Sequence, residues 1–137
     1  MSEETKKQIL DYVKNRGWFL QNILKARGGF RITLFEDVST KSILHVRVDK
    51  NQIFIKGIER EELPEPDRYF VDHVYESLKT VCQKHGGTPF YISPREHIEP
   101  KMKLTDLDEC LKILEAEGRV RYTSSLHSPY YVELLQC

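Results

Sequence analysis

The chain has 137 residues, of which 39% are hydrophobic and 31% charged, and its formal net charge is zero. This composition is typical of a globular protein with one domain or two small ones. No apolar run approaches the roughly 20 residues that cross a bilayer. The numbers exclude a membrane span, a collagen-like chain and a fully disordered chain, and the balanced charge excludes a uniformly basic nucleic-acid binder.

Three cysteines bear on the compartment. Cys82, Cys110 and Cys137 are odd in number, widely spaced and without a closely spaced pair, and the first residues lack the apolar core of a signal peptide. We therefore expect an intracellular, cytoplasmic protein, with a nuclear location as the alternative.

An acidic segment with two prolines divides the chain. Residues 61–66, Glu-Glu-Leu-Pro-Glu-Pro, disfavour both a helix and a central strand because proline cannot donate a backbone hydrogen bond. We predict one domain over residues 1–62 and a second over residues 67–137. Each half is near the size at which a single core is only marginally stabilising.

The first half predicts a helix packed on a three-stranded antiparallel meander. Apolar residues recur at helical spacing from about Thr5, are interrupted at Gly17, and resume until Gly28 and Gly29. Three runs that alternate with a period of two then predict strands around residues 30–35, 44–49 and 53–56. The helix is expected to cover the apolar face of the meander, which gives an α+β fold.

The second half predicts a helix, a strand, two helices and a hairpin. Apolar stripes predict helices over about residues 67–84 and from a cap at Thr105 to Gly118. Between them we expect a short strand within residues 88–92 and a brief helix over about residues 94–99. Alternating segments around residues 120–122 and 130–134 predict a hairpin with an exposed polar loop.

This order of elements resembles the winged-helix family. The segment 104–120, Leu-Thr-Asp-Leu-Asp-Glu-Cys-Leu-Lys-Ile-Leu-Glu-Ala-Glu-Gly-Arg-Val, is similar to the third helix and first wing strand of that family. The resemblance covers about half of the chain. In the family members that bind DNA, it implies a third helix that enters the major groove.

The third helix of the second domain departs from that pattern because it is acidic. Residues 105–118 hold five carboxylates and one lysine, and a phosphate backbone would repel this net charge. The alternative function is a protein-interaction module or assembly subunit that docks a protein partner through this helix. The residues predicted to contact such a partner are Asp106, Asp108, Glu109 and Glu115.

The zero net charge is a sum of opposed blocks. Residues 5–60 hold twelve bases and five acids, a net charge of +7, whereas residues 61–76 have a net charge of −5. A basic N-terminal half fits a polyanion such as DNA or RNA, and it also fits an acidic protein or an acidic segment of a second copy of the chain.

The predicted meander places bases and aromatic rings on the face opposite the helix. Single-stranded nucleic acid uses such faces because bases stack on rings and phosphates contact Arg and Lys. The same face also fits a surface that the second domain covers. The residues predicted to bind DNA or RNA are Lys25, Arg27, Arg31, Phe35, Arg47, Phe54 and Lys56, with Lys101, Lys103, Arg119 and Arg121 as a second basic edge.

Motifs of catalytic chemistry are not found in the sequence. It lacks a phosphate-binding loop, a dinucleotide fingerprint and a zinc-protease motif. Cys82 with His73, His85 and His97 lacks the repeated pair spacing of a zinc site, and Cys82 is expected to be a buried thiol. We predict a non-enzymatic regulator or complex subunit that binds nucleic acid, without a cofactor, metal or small-molecule substrate.

Overall fold

The computed structural model describes residues 2–50, 52–123 and 130–135. The fold is α+β, as predicted, and the chain forms two compact units, Met1–Pro64 (unit 1) and Glu65–Cys137 (unit 2). The division falls between the two prolines of the acidic segment. The elements in chain order are α1 (Glu3–Asn15), β1 (Phe19–Ala26), β2 (Gly29–Asp37), β3 (Thr40–Asp49), β4 (Gln52–Glu62), α2 (Arg68–His85), β5 (Phe90–Ile92), α3 (Pro94–His97), α4 (Leu104–Ala116), β6 (Val120–Thr123) and β7 (Tyr130–Leu134).

The first helix is shorter than the sequence predicts. Ser2 caps α1 because its hydroxyl accepts a hydrogen bond from the Thr5 amide. Gly17 then takes a positive φ of 72°, which ends the helix. The apolar residues after Gly17 do not continue the helix. They form β1, which pairs antiparallel with β2 from Phe19 to Ala26.

Unit 1 therefore contains a four-stranded antiparallel sheet in the order β1-β2-β3-β4, and the predicted count of three strands is wrong. Short apolar runs do not distinguish helix from strand, and here the pairing with β2 decides. The helix covers one face of the sheet, as expected. The buried core comprises Ile9 and Val13 from the helix with Ile32, Leu34, Leu44 and Val46 from β2 and β3.

The predicted alternation holds in β2 and β3 but is shifted in β4. The pairing register between β3 and β4 slips next to Val46, so that Lys56 forms a bulge between Ile55 and Gly57. Ile55 faces the helix side as predicted, opposite the buried Val46, and is 41% exposed because β4 is an edge strand; after the bulge the phase changes, so that Ile58 lies opposite Leu44. The strand also continues beyond Gly57, where the predicted run ends, to Glu62, within the segment 61–66 that was predicted to divide the chain.

Unit 2 has the predicted order of elements. Asp67 caps α2 and Gly86, in the left-handed conformation, ends it. The helix α4 begins one residue before Thr105, so the predicted threonine cap is wrong; Lys103 occupies the cap position without a side-chain bond. The short helix α3 ends at His97, two residues before the predicted end.

The three strands of unit 2 form one antiparallel sheet in the order β5-β7-β6. The strand β5 pairs with β7, and β7 pairs with β6. The loop expected between β6 and β7 covers residues 124–129, which lie outside the described residues. Membership of the winged-helix family stays a prediction.

Candidate nucleic-acid interface

The turn between β1 and β2 lies against the backbone of β3. Gly28 has a positive φ of 76°, and a Cβ atom at Gly29 would overlap the carbonyl oxygen of Val46. Only glycine permits so close an approach of two backbones. The Gly-Gly pair therefore brings Arg27, which precedes it, to the end of the sheet where β3 and β4 meet.

The bulge in β4 holds this turn from the other side. The Lys56 ammonium donates a hydrogen bond to the Gly28 carbonyl oxygen at 3.0 Å. A Cβ at Gly28 would lie only 3.1 Å from the same nitrogen. Residues 28 positions apart in the chain are thus in contact, and the predicted bases of the turn and of β4 lie together.

The opposite face of the sheet from α1, called the outer face below, adds two more predicted bases. Arg31 pairs with His45, two residues from Arg47, so the two arginines are diagonal neighbours. Arg47 in turn pairs with Phe54, and its guanidinium lies 5.0 Å from the ring centroid. Phe54 is 41% exposed.

We call this cluster the basic end of unit 1. Its members lie on the first hairpin, β3 and β4, and each of them is solvent-exposed. Six of the seven residues predicted for the first half belong to it. They are Lys25, Arg27, Arg31, Arg47, Phe54 and Lys56.

The seventh residue, Phe35, is buried, with 3% of its surface exposed. Its predicted role as a stacking group on an open face is wrong, because a buried ring offers no surface to a base. Phe35 pairs with Phe19 at the far end of β2 from Arg31. The signal in the sequence is that Leu34 and Phe35 are consecutive apolar residues, because a strand buried on both faces has a continuous apolar run and does not alternate.

Carboxylates also lie on the outer face. Glu59 contacts His45, with 3.0 Å between the carboxylate oxygen and the ring Nε2. The hydrogen bond and charge of His45, together with the more distant charge of Arg31, hold the pKa of Glu59 below its usual value. Asp49 ends β3 close to Arg47. Glu59 therefore lies on the outer face away from the hairpins, and Asp49 is a carboxylate at the basic end itself.

Two of the four residues of the second basic edge, predicted in unit 2, are engaged in other contacts. Lys101 donates to the Arg95 carbonyl and lies 3.0 Å from the Glu99 carboxylate. Arg119 lies over the ring of Tyr75, 4.7 Å from its centroid. The other two residues predicted for this edge have different surroundings. Arg121 lies opposite Glu133 on the neighbouring strand, and Lys103 is exposed at the start of α4.

The acidic helix α4 presents fewer carboxylates than predicted. Asp106 is buried, with 8% of its surface exposed, so its expected role on an open docking surface is wrong. Asp108 is half-buried, 3.1 Å from Lys112, and accepts a hydrogen bond from the Tyr130 hydroxyl. Two of the four predicted contacts remain exposed, Glu109 and Glu115.

Two features of unit 2 were not predicted. Arg68 forms a bidentate ion pair with Glu117, at 2.5 and 3.0 Å, which joins the start of α2 to the end of α4. Tyr91 and Tyr131 form an exposed cross-strand aromatic pair with ring centroids 4.8 Å apart. The alternation of buried and exposed residues in β5 and β7 is the sequence signal that would have placed the two tyrosines on the same face of the sheet.

The described residues also bear on metal binding, on membrane spans and on the cysteines. Within residues 2–50, 52–123 and 130–135, no three His, Cys, Asp or Glu side chains are placed to hold a metal ion, and no helix is long and apolar enough to span a bilayer. Cys110 is a buried free thiol. Cys82 is buried and disulfide-bonded, so the free thiol predicted there is wrong.

Comparisons with known proteins found no relative. No protein-family model matches the chain, and neither the curated proteins nor the solved structures contain a significant match. The basic end of unit 1 therefore has to be interpreted from its own geometry.

Proposed function

We propose that unit 1 binds nucleic acid, with a preference for single strands, through its basic end. The observation that carries the proposal is the contact between Lys56 and Gly28, which gathers bases from three separate segments around one exposed ring. Cations within reach of one another attract a polyphosphate backbone more strongly than the same charges spread over a surface.

The ring at the centre of the cluster supports the preference for single strands. Phe54 presents part of its face to solvent beside Arg47. In a duplex the base faces are stacked on one another, whereas an unpaired base is free to stack on an aromatic side chain or an arginine plane. Arg31 lies diagonal to Arg47 on the same face and Arg27 precedes the turn that Lys56 contacts, and both are exposed and suited to contact phosphates.

The experiment is an anisotropy titration of labelled single- and double-stranded DNA and RNA at low and moderate salt. A double charge reversal, Arg31→Glu with Arg47→Glu, should weaken single-strand binding by about 30-fold or more, because two phosphate contacts become repulsive. The slope of log affinity against log salt, which is negative, should become less steep by about 1.4, the value for two phosphate contacts on a single strand.

The matched control changes the same charge elsewhere in unit 1. Lys6 and Lys7 are exposed on α1, which packs on the other face of the sheet. Lys6→Glu with Lys7→Glu should alter the affinity by no more than about threefold, through net charge alone. Equal losses in the two double variants, or no binding by the unaltered chain at about 50 mM salt, would refute the proposal.

A further inference from the structure

The outer face of unit 1 holds a histidine among the cations of the basic end. His45 is the only histidine in residues 1–64 of the sequence. It lies on β3, directly opposite Arg31 of β2 and two residues before Arg47. Opposite residues of paired strands share a face, and so do residues two apart on one strand. The imidazole is therefore a neighbour of both arginines that the proposed function requires.

The contacts of His45 leave its ring open to solvent. The Nε2 atom lies 3.0 Å from a carboxylate oxygen of Glu59 on β4, and 41% of the histidine side chain is exposed. Gly57 pairs with His45, and a Cβ there would lie 3.8 Å from Cδ2 of the imidazole, so the ring extends over a residue without a side chain. Charged side chains face His45 from three strands: Arg31 on β2, Arg47 on β3 and Glu59 on β4.

The proton on His45 changes the charge at the centre of this group. Histidine is the side chain that ordinarily changes its charge between about pH 5 and 8. The hydrogen bond and charge of His45 hold the pKa of Glu59 below its usual value, so the carboxylate stays ionised over this range. Beside a neutral imidazole, the carboxylate opposes a phosphate at Arg31. Beside a protonated imidazole, the carboxylate charge is neutralised and the arginine charges dominate.

We propose that His45 makes nucleic-acid binding by unit 1 dependent on pH, with the protonated imidazole as the form that binds more tightly. The inference rests on the proposed function, because it concerns regulation of the same basic end. A proton and a polyanion that favour each other's binding do so reciprocally. Uptake of one proton changes affinity by at most about tenfold per pH unit, and we expect a rise of about three- to tenfold from about pH 8 to about pH 5.5.

The test is an anisotropy titration at about pH 8, 7, 6 and 5.5 and constant ionic strength. The probe is a labelled thymidine oligonucleotide without a terminal phosphate, because its charge is constant over this range. His45→Gln retains a side chain that can donate to Glu59 but takes up no proton. At every pH, its affinity should stay within about twofold of that of the unaltered chain at about pH 8.

A second variant gives the opposite result without depending on a loss. His45→Lys carries a fixed positive charge at the same position on the outer face. At about pH 8 it should bind the oligonucleotide as tightly, within about twofold, as the unaltered chain does at about pH 5.5. Its affinity should then change little as the pH falls.

The matched control is an exposed histidine of unit 2. His73 lies on α2, where its Nδ1 atom is 2.8 Å from the Tyr69 carbonyl oxygen. His73→Gln should keep the pH dependence of the unaltered chain. Binding that is equally tight at every pH, or a pH dependence that His45→Gln retains, would overturn the inference and leave the proposed function standing. An absence of binding at every pH would defeat the proposed function, and the inference with it.

Discussion

The cations of the two units differ in what surrounds them. In unit 1, Arg27 and Arg31 are exposed and make no ion pair shorter than 4 Å with a described residue. In unit 2, Lys101 contacts Glu99 and Arg119 lies beside Glu117 at 4.0 Å. The number of lysines and arginines, five at the basic end of unit 1 and four in the second basic edge of unit 2, does not reveal this difference. The difference shows that the distance to the nearest carboxylate decides whether a basic segment has a positive surface.

The largest effect is expected from Gly29, which allows the basic end to assemble. In Gly29→Ala, the new methyl group would overlap the Val46 carbonyl oxygen, so a backbone must move. We expect a loss of about 3 kcal/mol or more in the free energy of unfolding of unit 1. Urea unfolding followed by the fluorescence of Trp18, the single tryptophan of the chain, measures it.

The control for that substitution is a glycine of unit 2. Gly118 has a positive φ of 73°, and a methyl group added there would meet no described atom within 4 Å. Gly118→Ala should cost unit 2 about 1 to 2 kcal/mol from backbone strain alone, followed by circular dichroism. A cost for Gly29→Ala no greater than this would mean that the turn does not need its close approach to β3.

The second effect separates the exposed rings of the two units. Phe54→Ala should lower the affinity for single-stranded oligonucleotides by about 1 to 3 kcal/mol, because one base loses its stacking surface. Tyr91→Ala removes a ring that is 62% exposed in unit 2 and that the proposed interface does not use. Its affinity should be unchanged in the same titration. Equal losses would place nucleic acid on both units.

The third effect concerns alkaline pH and should appear in unit 2. Burial, with the charges of Asp106 and Glu109, raises the pKa of Cys110 from 9.0 to about 12. Burial, with the charge of Asp108, raises the pKa of Tyr122 from 10.0 to about 12. The folded state holds both protons more tightly, so the stabilisation is complete below about pH 9 and is lost as pH rises toward about 12.

Urea unfolding at about pH 7.5, 9 and 10.5 measures this loss. Circular dichroism should show unit 2 weakening with pH by at most about 1.4 kcal/mol per pH unit from the Cys110 thiol. Cys110→Ala should flatten the dependence, although the lost packing lowers stability at every pH. If the slope over the two higher pH values is the same with and without the thiol, the buried cysteine is not its source.

Local signals explain why unit 2 was predicted better than unit 1. The helix α2 starts at Asp67 and stops at Gly86, and both residues act on the chain within one turn. The apolar residues that follow Trp18 carry no such signal, and pairing with β2 makes them a strand. The bulge at Lys56 depends on contacts with the distant hairpin, which no short window of sequence contains.

The candidate site could be predicted residue by residue but not as an arrangement. Charge and alternation were sufficient to select Arg31, Arg47 and Phe54, which do share the outer face. They were not sufficient to show that Phe35 is buried. Burial on the second face of a strand depends on what packs there, and that information lies elsewhere in the chain.

The smallest effect tests whether carboxylates limit the basic end. Glu59→Gln should raise the single-strand affinity about two- to threefold, because it removes a negative charge that interacts with Arg31 and leaves a side chain of similar shape. The control, Glu133→Gln, removes the carboxylate opposite Arg121 in unit 2. It should leave the affinity unchanged if unit 2 makes no phosphate contact. A higher affinity in Glu133→Gln alone would reverse the comparison. It would show that a carboxylate masks a functional arginine in unit 2. It would also show that His45 already holds the Glu59 charge away from the ligand.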